Sequence, residues 1–120
     1  MIEPKEIENI IEDISARLAK IHKIQNIEQK KQQLKEKEAL SAAPAFWNDS
    51  NNAKQVSKEI DALKTDIETY ASLLRALDDN KTLFELALDM RDNAELEAAF
   101  ASLKNLDANL KAVEFKTKLS

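Results

Sequence analysis

The chain has 120 residues and a formal net charge of −4; a third of its residues are charged and 43% are apolar. That is enough for one domain and too few for two ordinary ones, and the balance suits a helical bundle with a solvated outside rather than a disordered segment. There is no glycine and no cysteine, which argues against phosphate-cradling loops, dinucleotide-binding turns and tight hairpins, and excludes disulfides, thiol catalysis and thiolate metal sites.

In chain order, Pro4 sits where a first helix would begin, a position that tolerates proline. Ile7, Ile11, Ile14, Leu18 and Ile21 then step by four, three, four, three, a heptad seam that Ile10 and Ile24 widen. A bend or break is expected between residues 22 and 27. From Ile24 to Leu40 the apolar positions thin to Ile24, Ile27, Leu34 and Leu40, separated by good helix formers, so this reads as the most exposed helix.

The segment from Ser41 to Asn52 is the one clear loop. Pro44 ends the preceding helix, Asp49 is the best N-cap for the helix that follows, and Phe46 and Trp47 are expected to fold back onto the bundle as an apolar staple. The longest seam follows, with Ala53, Val56, Ile60, Leu63, Ile67, Tyr70, Leu74 and Leu77 stepping alternately by three and four. It reads as a long helix packed along its length. It is expected to stop near Asp78-Asp79-Asn80, with Asp79 capping a short helix that carries Leu83, Leu86, Ala87 and Met90. Asp92-Asn93-Ala94-Glu95 looks like a capping box. The last helix carries Leu96, Ala99, Leu103, Leu106, Leu110 and Val113, with Phe100 and Phe115 extending its apolar face. The expected fold is all-α, a single-domain antiparallel helical bundle with coiled-coil-like long helices, roughly 4–22, 26–42, 50–78, 80–91 and 93–116.

Candidate chemistry is sparse. His22, the sole histidine, has no carboxylate cluster or serine close in sequence and reads as a surface or helix-end residue. The acidic cluster Asp89, Asp92, Glu95 and Glu97 lacks the glycine and alternating oxygens of a calcium loop, and helix capping explains it more simply. Neither a metal nor a cofactor is therefore expected. Lys20, Lys23, Lys30, Lys31, Lys35 and Lys37 form the one basic run. It could meet phosphates, but no aromatic or arginine is interleaved, so a solvated helix face is the default. Nothing assembles a nucleophile, base and oxyanion hole, so no enzyme is expected. No apolar run approaches a membrane span, and the charged start from Glu3 onward does not read as a signal peptide, so no membrane partner and a cytoplasmic location are expected.

The loop Pro44-Ala45-Phe46-Trp47-Asn48-Asp49 adds a further reading. It resembles the "P-x-h-W-N-[DE]" loop (h apolar) in the N-terminal domain of the bacterial peptide chain release factor 2 family. Leu86-Ala87, Asp92 and the ending Glu114-Phe115-Lys116 with Ser120 resemble that domain in the same order and at matching spacing. The resemblance implies a helical bundle that precedes codon-reading and hydrolytic parts. In that family a Gly-Gly-Gln motif hydrolyses peptidyl-tRNA and a Ser-Pro-Phe tripeptide reads the stop codon. Both motifs are missing from this sequence, so those roles transfer to no residue here, and a fragment or truncated product of such a factor is expected. What the resemblance leaves is a positional role in translation termination. It implies packing on the ribosome near the large-subunit stalk base, through rRNA and protein, and contact with the class II release-factor GTPase, with no small-molecule ligand. The lysines from Lys20 to Lys37 are the face offered to rRNA. An autonomous coiled-coil adaptor or dimerisation module is the alternative that the seams by themselves support.

Overall fold

The computed structural model of the chain describes residues 2–119. Ser120, part of the ending quoted above, lies outside the described residues. The elements are α1 (Pro4–Ile24), α2 (Ile27–Ser41), a 3₁₀ turn (Pro44–Asn48), α3 (Ser50–Met90) and α4 (Asn93–Leu119). The fold is an all-α bundle, elongated to 63 × 28 × 18 Å.

α3 is the axis of the molecule. Its 41 residues span roughly 60 Å at about 1.5 Å per residue. α1 and α2 are two pieces of one line broken at Gln25-Asn26, and both lie along α3. α2 packs on the first half of α3, while α1 and α4 pack on the second half, and among the described residues the backbones of α2 and α4 do not come close. Ion pairs and hydrogen bonds set the directions: Arg17 meets Asp107 and Glu114, and Gln25 meets Thr117. α1 and α4 therefore run parallel to each other and antiparallel to α3. The result is a three-helix bundle from which the α2–α3 hairpin projects as an arm.

The main core belongs to the three-helix part. Ile7, Ile14, Leu18 and Ile21 of α1 meet Leu73, Leu77, Phe84 and Ala87 of α3 and Leu96, Leu103, Leu106 and Leu110 of α4. The α1 and α4 seams pack as their spacing predicts, but two residues flanking them and one position of the α3 seam do not. Ile24 and Phe115 are exposed, and Leu74 is turned outward while Leu73 takes the buried position. The inward face of α3 therefore takes an extra three-residue step, Tyr70 to Leu73 to Leu77. Such a step rotates a helix's contact line, and it falls where α3 exchanges α2 for α1 and α4 as its partners.

The expected stop at Asp78-Asp79-Asn80 does not occur, because α3 runs unbroken through it. Aspartate in a helix interior costs at most about 0.7 kcal/mol, with neither the clash of proline nor the entropy of glycine. Here Asp78 and Asp79 face solvent, and Leu77 and Phe84 are buried one turn before and after Asn80. Asn80 itself is 5% exposed, and its Nδ2 donates to the Ala76 carbonyl at 2.8 Å. Packing outweighs a weak local preference. The outward positions of the same stretch, Leu83, Leu86 and Met90, form an exposed apolar stripe.

Two sharp turns are made without glycine. Asn26 (φ 50°) and Arg91 (φ 52°) both take the left-handed conformation. At the end of α3 the Arg91 N–H donates to the Leu88 carbonyl and the Asp92 N–H to the Ala87 carbonyl, the paired bonds of a Schellman ending. Asp92 then caps α4 by accepting from the Glu95 N–H at 3.2 Å.

Candidate functional site

The arm and its tip gather most of the residues singled out from sequence. α2 turns the line Ile27, Lys30, Leu34, Lys37 and Ser41 toward α3, since these are its least exposed positions. They step by three and four, so α2 does have a seam, but two of its five positions are lysines. Lys30 donates to Asp66 at 2.7 Å and Lys37 to Glu59 at 2.6 Å. The Lys37 ammonium, together with the Gln55 amide, holds the Glu59 carboxyl below its ordinary range. Lys64 of α3 reaches Glu38 at 3.8 Å.

The basic run is thereby split. Lys30 and Lys37 are spent on α3 and do not belong to a solvated face. Lys31 is exposed and reaches Glu28 at 3.5 Å. Lys20, Lys23 and Lys35 are exposed and form no ion pair among the described residues. Helical geometry explains the division, because 30 and 37 are a heptad apart.

His22 sits at the α1–α2 break. Its Nε2 lies 3.1 Å from Glu28 Oε1 and its ring 5.2 Å from that of Tyr70. The His22 contact is the main cause of a lowered Glu28 carboxyl, with Lys31 adding to it. The residue pins a corner. Of the acidic cluster, Asp92 is occupied as a cap, and no group of three or more metal-ligating side chains converges among the described residues.

The tip loop departs from expectation at one residue. Asp49 caps α3, accepting from the Asn52 N–H at 3.1 Å, and Pro44 opens the 3₁₀ turn. Phe46 is half-buried. Trp47, read from sequence as an apolar staple, is instead 59% exposed. Its Nε1–H donates to the Ser41 carbonyl at 3.1 Å, and its ring meets Phe46 edge-on at 5.0 Å. The tight 3₁₀ turn spends Phe46 inward, and the adjacent residue in so short a turn must point elsewhere. Asn48, the remaining residue of the motif, is exposed.

Two features were missed in the sequence. Lys54 and Lys58, one turn apart at the start of α3, share a shallow groove of about 440 Å³ with Trp47, Ser50, Ala53 and Ser57. Their i, i+4 spacing is visible in the sequence, but their nearness to Trp47 depends on the loop's turn. The second feature is Arg17. Its guanidinium makes a two-pronged contact with Glu114, with Nη2 to Oε1 at 2.7 Å, and also reaches Asp107 and Asp13. These contacts hold the Glu114 and Asp107 carboxyls below their ordinary range and raise the guanidinium further above its own. Arg17 clamps α1 to α4, which is a structural role.

No helix is long and apolar enough to cross a membrane among the described residues. Comparison with known proteins places a family on most of the chain: the PCRF domain matches residues 28–120. The chain is 36% identical to peptide chain release factor 2 of Nautilia profundicola over 116 residues, 97% of this chain and 30% of that protein. It is 32% identical to peptide chain release factor 2 of Yersinia enterocolitica over 120 residues, 100% of this chain and 33% of that protein. With peptide chain release factor 2 of Wolinella succinogenes the identity is 36% over 103 residues, 86% of this chain and 27% of the relative. The chain thus spans about a third of the length of the curated relatives it matches.

Proposed function

The chain belongs to the PCRF domain family, and from that premise we propose that it is the ribosome-associating N-terminal domain of a translation termination factor. Its work is positional: a rigid helical body that orients codon-reading and peptidyl-tRNA-hydrolysing parts, a role in which fixed geometry supplies the advantage. It performs no chemistry itself and acts in the cytoplasm. Its partners are the large-subunit stalk base, both rRNA and protein, and the class II release-factor GTPase. The observation that carries the reading is the likeness to peptide chain release factor 2 over nearly the whole chain. The projecting arm supports it, because a two-helix hairpin attached at one end suits reach better than enclosure. Lys20, Lys23 and Lys35 are the cations of the basic run left available to phosphate.

Cosedimentation with ribosomes over a salt series tests this. We expect binding at low salt that weakens steadily as salt rises. Pelleting no different from an unrelated acidic helical protein, at the lowest salt, would overturn autonomous ribosome association.

One observation favours the second reading, an adaptor or dimerisation module: the exposed Leu83, Leu86 and Met90 stripe on α3. Analytical ultracentrifugation separates the two. An elongated monomer supports the ribosomal reading, and a dimer dispersed by Leu86→Glu supports the adaptor.

A further inference from the structure

We propose that the tip of the α2–α3 hairpin is a binding site for single-stranded RNA, in which the Trp47 indole stacks on one unpaired base and Lys54 and Lys58 hold the adjoining phosphates. This deepens the ribosomal reading, and rests on it for the source of the RNA, an unpaired rRNA loop.

Three observations converge. First, Trp47 is held and yet uncovered. The bond from its Nε1–H to the Ser41 carbonyl and the edge contact with Phe46 fix the ring, while more than half of the residue stays open to solvent. A large aromatic face already held in place loses little freedom on stacking. Second, the groove beside it is mainly apolar and is lined by the buried Ala53 together with Ser50, Lys54, Ser57 and Lys58. Third, Lys54 and Lys58 are exposed and enter no ion pair among the described residues. Two of the acidic residues near them are engaged elsewhere, Asp49 by the Asn52 N–H and Glu59 by Lys37 and Gln55, while Asp61 lies one turn beyond Lys58. A fixed indole face flanked by free cations is the arrangement that binds unpaired bases and their backbone. An acidic protein surface would engage the lysines and leave the indole idle.

Trp47 is the sole tryptophan, so its fluorescence reports on the site directly. The probe is a six-nucleotide single-stranded oligoadenylate, titrated into the whole chain at about 50 mM salt. We expect saturable quenching, with log affinity falling against log salt at a slope of about −1.4 for two neutralised phosphates. Lys54→Glu with Lys58→Glu should weaken binding at least about tenfold. Trp47→Ala, followed with end-labelled RNA, should weaken it about 5- to 150-fold, the effect of losing one stacked base, and Trp47→Phe should recover most of that loss. Circular dichroism and melting of each variant confirm that the fold is kept. Absence of saturable quenching overturns the site, as does equal quenching by a polyglutamate peptide or undiminished binding by the double lysine variant. Ribosome cosedimentation separates the two proposals. Pelleting that the Lys54→Glu/Lys58→Glu variant retains in full refutes the RNA site and leaves the ribosomal reading standing. Oligonucleotide quenching without ribosome pelleting does the reverse.

Discussion

Replacing Arg17 by methionine isolates the clamp between α1 and α4. The Arg17 side chain is 19% exposed and those of its partners Asp107 and Glu114 are 21% and 25% exposed, so the group is largely, but not wholly, withdrawn from water. Removing one partner of a buried pair costs about 3–5 kcal/mol, mostly because the opposite charge is stranded. The residual exposure of both carboxylates lowers that figure, and we expect about 2–3 kcal/mol at pH 7. The pH dependence supplies the stronger test. Both carboxyls are held below their ordinary values by Arg17, so the stability they contribute is fully present above the unfolded-state value near pH 4. It is lost as pH falls through the lower folded-state values. The wild-type advantage over Arg17→Met should therefore shrink progressively as pH falls below about 4 and the carboxylates take up protons. Urea unfolding at pH 7 and at pH 3, followed by circular dichroism, measures both gaps. Equal gaps at the two pH values would refute an ionic origin. A gap under about 0.5 kcal/mol at pH 7 would place Arg17 among ordinary surface residues.

The remaining expectations concern the turns and the arm. Arg91→Gly should raise stability by about 0.5–1 kcal/mol, because glycine takes the left-handed conformation without the steric cost an arginine bears there; a lower melting temperature would show that the Arg91 side chain makes a compensating contact. Lys30→Glu should destabilise the arm by about 1–2 kcal/mol by setting a carboxylate against Asp66, whereas Lys31→Glu should stay within about 0.5 kcal/mol. Hydrogen exchange in α2 reads both, and equal effects would mean that the two lysines do not face different ways.

The family likeness was legible because it resides in linear order. The Pro44–Asp49 loop, Leu86-Ala87, Asp92 and Glu114-Phe115-Lys116 stand in register along the chain, and order along a chain survives without any knowledge of packing. The candidate site was legible only in parts. Trp47 was visible and so were the lysines, but a hydrophobic ring beside a helix cap is ordinarily covered, and whether anything covers it depends on neighbours from other elements. The basic run from Lys20 to Lys37 drew attention by its density. Density along a helix says nothing about direction, and two of its six lysines point at carboxylates of α3.

Periodicity by itself determined the helical class, the α1 and α4 seams, the break after α1 and the caps at Asp49 and Asp92. Each of these follows from chemistry within about one heptad, where spacing and side-chain reach decide the outcome. Tertiary structure decided the rest. It carried α3 through Asp78-Asp79-Asn80, because burying Leu77 and Phe84 outweighs a propensity cost of at most about 0.7 kcal/mol for each of those residues. It moved the inward position from Leu74 to Leu73, because α3 changes partners there. It also left the Trp47 indole open beside Lys54 and Lys58, because α2 ends at the tip and no further element among the described residues covers it.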